Sequence, residues 1–134
     1  MIGTTSYLTI AGAQKMMAAA EAEARANDWN VAIAIVDAAT NLLMFQKMDG
    51  VQTASINVSI GKAKTAAGFK RPTKALEDMI AGGRTAFLAV DGVLPVQGGL
   101  PIEAGETVVG GIGVSGLTSA EDEQVAAAAL RALE

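Results

Sequence analysis

VAIAIVDAATNLLMFQKMDG, residues 31–50, followed by VQTASINVSIGKAKTAA, residues 51–67, decides how the rest of the chain is read. Val31 to Val36 is an unbroken apolar run with β-branched residues at Val31, Ile33, Ile35 and Val36, short enough to be a buried strand. Asp37 to Asn41 has turn chemistry, and Leu42 to Gln46 is apolar again until Met48-Asp49-Gly50 stops it. The period then changes. Ile56, Ile60, Ala63 and Ala67 share one face at helical spacing. The unit is a hairpin, an acidic turn and an amphipathic helix.

On the N-terminal side, Thr9 is placed to cap a helix running to about Asp28, with Ile10, Ala13, Met17, Ala20 and Ala24 as its apolar stripe. On the C-terminal side, Lys70-Arg71-Pro72 ends the middle helix, because proline cannot continue it. Thr73 is expected to cap a short helix through Ile80 that Gly82-Gly83 stops. Thr85 to Val90 reads as a strand, Val93 to Gln97 as irregular around Pro95, and Gly98 to Ile102 as a tight segment. Thr107 to Ser115, TVVGGIGVS, is the last strand. Ser119 opens a final helix whose Glu121, Asp122 and Glu123 suit its positive end, and whose Val125, Ala129 and Leu133 form one face. Hairpin-length connections imply antiparallel pairing. Strands apolar on both sides need helices on both faces. The expectation is one α/β domain over residues 1–134, with Val31 to Val36 and Val108 to Val114 as central strands.

Just over half of the 134 residues are hydrophobic and the mean hydropathy is positive, mostly from Ala and Val. A layered core and apolar surface buried between subunits together account for that excess, so a homo-oligomer is expected. There is no cysteine, which excludes disulfides and thiolate metal sites. There is no histidine, which removes the usual general base at neutral pH, the Ser-His-Asp triad and the commonest zinc and haem ligand, and no metal site is expected. No basic-then-apolar leader is visible, and no apolar run reaches the ~20 residues of a membrane helix. A cytoplasmic protein that does not engage membranes is expected.

The net charge of −4 is uneven. From Lys47 to Arg84 seven basic residues face three acidic ones, so this middle is +4 and the remainder −8. Solvated lysines explain this, and so does a site for an anionic ligand such as a carboxylate or phosphate. Nucleic acid is not an expected partner: the chain is acidic and its five aromatic residues are too few for a stacking platform.

Three motifs carry candidate chemistry. Gly111-Ile112-Gly113-Val114-Ser115-Gly116 matches G-x-G-x-x-G, but no strand follows the next helix, so a dinucleotide site is excluded. Either the glycines allow a helix or a neighbouring subunit to come close, or backbone N–H groups from Ser115 to Ser119 bind an anion. Asp37 and Asp49 sit in turns, where aspartate is ordinary turn chemistry; Asp37, directly after a buried strand, is also a candidate desolvated carboxylate. Lys62 is near the buried helix face, where it either snorkels or anchors an anion. If these residues converge on one pocket, Asp37 or Asp49 is the candidate base and Lys62 the counter-ion or acid. Lys47, Lys64, Gly113 and Ser115 are then candidate ligand-binding positions.

VAIAIVDAATNLLMFQKMDG, GKAKTAA (61–67), GGLPI (98–102) and VVGGIGVSGLTSAEDEQVAAAAL (108–130) together resemble the GlcG/HbpS family, also called the haem-degrading or DUF336 family, which includes PduO-type C-terminal domains. The likeness spans nearly the whole chain in the same order. Lys47 stands where the family pattern has arginine, and Thr40 where its turn has glycine. The resemblance implies a profilin-like three-layer α/β/α fold with a five-stranded antiparallel sheet. It also implies haem or corrinoid binding, a homo-oligomer such as a tetramer or octamer, and a link to glycolate or diol metabolism. Without histidine, an axial ligand falls to Met44, Met48, Tyr7 or a lysine, with Lys47, Lys62 or Lys64 for propionates. The alternative class is a small acid–base enzyme, an isomerase or lyase, acting on a carboxylate metabolite.

Overall fold

The computed structural model describes all residues 1–134. Helix α1 spans Ile10–Ala26, and the hairpin follows as strands β1, Ala32–Asp37, and β2, Leu42–Lys47. Helix α2 is Ala54–Phe69 and α3 is Thr73–Ala81; strands β3, Gly99–Ala104, and β4, Thr107–Ser115, precede α4, Ser119–Arg131. The four strands form one antiparallel sheet in the order β2-β1-β4-β3. The two segments expected at its centre are there: Ala34 lies opposite Gly113, and Ile35 opposite Ile112.

Alternation along the central strands divides the core. Ile33, Ile35, Ile112 and Val114 pack with Met16, Met17, Ala20 and Ala24 of α1 and Val125, Ala126 and Ala129 of α4. Ala34 and Val36 face the other way, against Ala63 and Ala67 of α2. The layers are therefore α2, sheet, and α1 with α4.

α2 lies almost on the backbone of β4. A Cβ added at Gly113 would overlap the Ser59 carbonyl, and one at Gly111 would overlap that of Ala63. Helix and strand approach this closely only because β4 presents hydrogens and α2 presents Ser55, Ser59, Ala63 and Ala67. That contact also rotates α2 from its expected face: Ile56 and Ile60 are half-buried on the flank, while the small residues take the sheet side.

The caps follow local chemistry. Thr9 Oγ1 accepts from Gly12 N at 3.0 Å, as expected. At α4 the cap is Thr118, in a reciprocal capping box with Glu121, one residue before the expected pair of Ser119 and Asp122. Thr40 takes φ 65°, the left-handed conformation that favours glycine.

Two expectations are corrected. The sheet has four strands, not five: Thr85–Ala89 is a short 3-10 helix, and the expected tight segment is β3 itself. Thr73 does not cap α3, where Pro72 holds the cap position; its buried hydroxyl accepts from Gly99 N at 2.9 Å and donates to Gly99 O at 3.4 Å. The two corrections share a cause. With α3 bonded to the outer side of β3, no edge remains there for Thr85 to Val90 to join. Phe87 instead packs on Phe69, ring centroids 6.2 Å apart, with Arg84 over its face.

Gly113→Ala is expected to lower folding stability by about 2–4 kcal/mol, since both colliding groups are backbone. Gly3→Ala, with nothing within 4 Å of the added carbon, is expected to stay within about 0.5 kcal/mol; urea denaturation measures both.

Candidate functional site

The candidate residues fall in separate places. Asp37 closes its own turn: Oδ1 accepts from Ala39 N and Asn41 N, both at 2.9 Å, and Oδ2 accepts from Asn41 Nδ2 at 3.3 Å. Asp49 is exposed on the turn after Met48; Lys47 is exposed at the end of β2, and Lys64 on the outer side of α2. Gly113 faces the α2 backbone, and Ser115 Oγ donates to Ser55 Oγ at 3.2 Å inside the molecule.

Lys62 is the largest fully buried side chain, 2 % exposed. Its Nζ donates to Val114 O at 2.9 Å and to Asp122 Oδ2 at 3.1 Å, while Asp122 Oδ1 accepts from Leu117 N at 3.1 Å. Lys62 thus bolts α2 to the end of β4 and the start of α4, and its charge is already met. Gly98 leaves room for this: a Cβ there would sit 2.7 Å from Nζ. Asp122 is the partner of Lys62 that sequence reasoning missed. The signal was present, since Asp122 stands three residues before Val125 and seven before Ala129, on the stripe read as the apolar face of that helix.

Burial pushes the Asp122 carboxyl above its ordinary range. The Lys62 charge and hydrogen bond and the Leu117 N–H pull it down, and burial is the larger effect. On the surface, Glu21 is held below its usual range by hydrogen bonds from Arg25 and Gln46.

Four surface cavities exist, and none is lined by Lys47, Asp49, Lys62, Lys64, Gly113 or Ser115. Asp37 lines one of about 430 Å³ with Tyr7, Leu8, Ala38, Ala39, Leu43 and Val109. This cavity is apolar apart from that carboxylate and the phenol of Tyr7, which is 77 % exposed. A groove of about 460 Å³ runs between α1 and β2 past Met17 and Met44; one of about 380 Å³ lies between β3 and the end of α4; one of about 240 Å³ lies by Trp29 and Met48. No three His, Cys, Asp or Glu side chains gather as a metal site.

An antiparallel four-stranded sheet between helical layers, with an apolar cavity at its hairpin end, defines a three-layer α+β domain. Residues 8–131 match the family model described as "Haem degrading protein HbpS-like", and the chain belongs to that HbpS-like family. It is 40% identical over 103 residues to "Protein GlcG" of Escherichia coli (strain K12), covering 77% of each chain. The crystal structure of HbpS superposes with a TM-score of 0.92 at 31% identity, over 99% of this chain and 94% of that one. A structure titled "Crystal Structure of PduOC:Heme Complex" shares the fold at a TM-score of 0.87, with 24% identity and 95% of each chain covered.

Lys62→Ala or Asp122→Ala is expected to destabilise the fold by about 3–5 kcal/mol, because each leaves a buried partner uncompensated. Lys62→Met combined with Asp122→Leu is expected to recover most of that loss in urea denaturation. The pH dependence has a definite sign. A carboxyl held above its unfolded value binds its proton more tightly in the folded chain. Its share of stability is full below the unfolded value, about pH 4, and is lost as pH rises through the raised folded value. Asp122→Asn is expected to remove that downward component from a series of denaturation midpoints measured against pH.

Proposed function

We propose that this chain is a tetrapyrrole-binding protein, holding haem or a corrinoid against the apolar cavity at the hairpin end. The observation that carries this is the cavity bounded by Tyr7, Leu8, Ala38, Ala39, Leu43 and Val109. Membership in a haem-degrading family supports it. The donor set fits a macrocycle held chiefly by its flat apolar face. Histidine and cysteine are absent, and the Asp37 oxygens are engaged by their own turn. That leaves the Tyr7 phenol as the oxygen donor at the cavity, and tyrosine is a known haem ligand type. When bound, the group supplies its metal's ligand and redox chemistry; the chain contributes an apolar wall, orientation and exclusion of water. Lys62 is held by Asp122, and Lys47 and Lys64, although exposed, do not line this cavity, so the grip on the macrocycle is chiefly apolar.

The cavity covers part of a macrocycle, and the proposal includes a homo-oligomer, a tetramer or octamer, whose neighbouring copy covers the rest. A cytoplasmic location and a role in glycolate or diol metabolism belong to the same proposal and rest on the family likeness. No helix is long and apolar enough to cross a membrane. The alternative, an isomerase or lyase acting on a carboxylate, needs a base and a cation facing one cavity. Asp37, Asp49 and Lys62 do not share one.

Haemin titration followed by visible absorption tests the reading. Saturable binding without a bis-imidazole spectrum is expected. Tyr7→Phe is expected to alter the spectrum and weaken binding about tenfold, or about 1.4 kcal/mol. An unchanged spectrum and affinity in Tyr7→Phe defeat the cavity assignment. No response to either haemin or a cobalamin defeats the tetrapyrrole reading.

A further inference from the structure

The two edges of the sheet are built differently. Along β3 the outward backbone is engaged: Gly99 N–H donates to Thr73 Oγ1 at 2.9 Å and Gly99 O accepts from the same hydroxyl at 3.4 Å. Pro101, two residues on, has the same orientation by strand period and no N–H to offer. Both devices stop another strand from joining that edge.

β2 has neither device. Met48 N–H donates inward to Val31 O at 3.0 Å. By alternation Gln46 and Met44 also direct their backbone to β1, while Phe45 and Lys47 direct theirs to the open side. A bulge between Ile35 and Val36 of β1 disturbs the start of the pairing and leaves Met44 to Lys47 regular. The strand reads LLMFQK, without proline, and Leu42 is 48 % exposed. Beside it runs the α1 groove, whose helical wall includes the small side chains Ala18 and Ala22 and so leaves space along the edge. An open, apolar, regular edge is the feature that sheets otherwise hide.

We propose that β2 is a self-docking edge. The β2 strand of a second copy of this chain pairs with it antiparallel, about a two-fold axis at Phe45, and makes one continuous sheet across both copies. Charge favours this occupant and direction. Lys47 is the one charge on β2, is exposed and is in no ion pair. Antiparallel pairing about Phe45 sets each Lys47 opposite Leu43 of the other copy, beside the turn that carries Asp37. Parallel pairing would set Lys47 against Lys47. Asp49 lies past Met48, outside the paired segment. The two Phe45 rings become a cross-strand pair, and an isologous contact of this kind closes as a dimer.

The inference rests on the homo-oligomer reading, and the experiment separates the two. In the full chain at high micromolar concentration, amide hydrogen exchange is read residue by residue. In a single copy the Phe45 and Lys47 amides face solvent and exchange like those of exposed loops. Paired across the two-fold, they are expected to exchange at least about 100-fold more slowly, and dilution restores fast exchange. Lys47→Pro removes an outward N–H without touching the core. Its mass by light scattering is expected to fall to half or less of the wild-type mass, with an unchanged circular dichroism spectrum. Should that variant not fold, the wild-type exchange data decide alone. An assembled wild type with fast Phe45 and Lys47 amides overturns the edge and leaves the homo-oligomer standing. A folded Lys47→Pro at full mass does the same. A monomeric wild type overturns both.

Discussion

The closeness of α2 to β4 is the constraint on which the rest of the structure depends. Gly111 and Gly113 remove the side-chain layer that normally separates a helix from a sheet, so α2 meets β4 through Ser59, Ala63 and Ala67. Interiors are close-packed, and a gap that narrow has no volume for leucine or isoleucine. The larger apolar residues of α2 are displaced to its flank, and the bulk of the core moves to the other face, between the sheet and α1 with α4. The uneven core, one large cluster and one small, is a direct consequence.

A helix packed so tightly has little apolar area of its own to bury, and its buried polar groups must be satisfied where they stand. Ser59 Oγ donates to Ile56 O, Ser55 accepts from Ser115, and Thr65 Oγ1 accepts from Leu94 N. No buried side-chain polar atom is left without a partner. Lys62 is the extreme case. Its ammonium reaches past Gly98 to Val114 O and Asp122, and so joins one helical layer to the other at the end of the central strand. Such a pair is weak evidence of net stability, because the desolvation of both charges opposes their attraction. Its clearer effect is geometric. One position of α4 relative to α2 satisfies both charges, and a displaced one leaves them buried and unpaired.

The pair also reshapes the functional question. A basic middle segment suggested an anion site, yet the buried lysine at its centre is engaged inside the fold, and Lys47 and Lys64, the other candidate lysines, are separate exposed charges. The concave chemistry lies at the opposite kind of surface, an apolar cavity with a phenol at its rim. A planar, largely apolar ligand suits such a cavity better than a small carboxylate, which would need a cation facing it.

Local signals determined much of the architecture. The β-branched run Val31 to Val36, the turn from Asp37 and the TVVGGIGVS segment specified the hairpin and the two central strands, because their length, composition and punctuation act over a few residues. Thr9 marked the start of α1 for the same reason. The glycines of β4 were legible as close-approach residues, although not which helix would approach. Tertiary structure decided the rest. Thr85 to Val90 has strand-like composition, but a strand needs an edge, and Thr73 and Pro101 close the one beside β3. Asp122 reads as first-turn acid chemistry, since acids there are common, and its place on the apolar stripe marks it for burial; that the cation it meets is Lys62, sixty residues earlier, was decided by the packing of α2. Asp37, Asp49 and Lys62 lie near one another in sequence yet face separate environments, because Asp37 sits at the turn end of the antiparallel hairpin, Asp49 lies past its other end, and Lys62 is turned inward on α2 to Asp122. Spacing along the chain records which local element forms. Which side chains share a cavity depends on how the layers are stacked, and that is set by the close contact of α2 with β4.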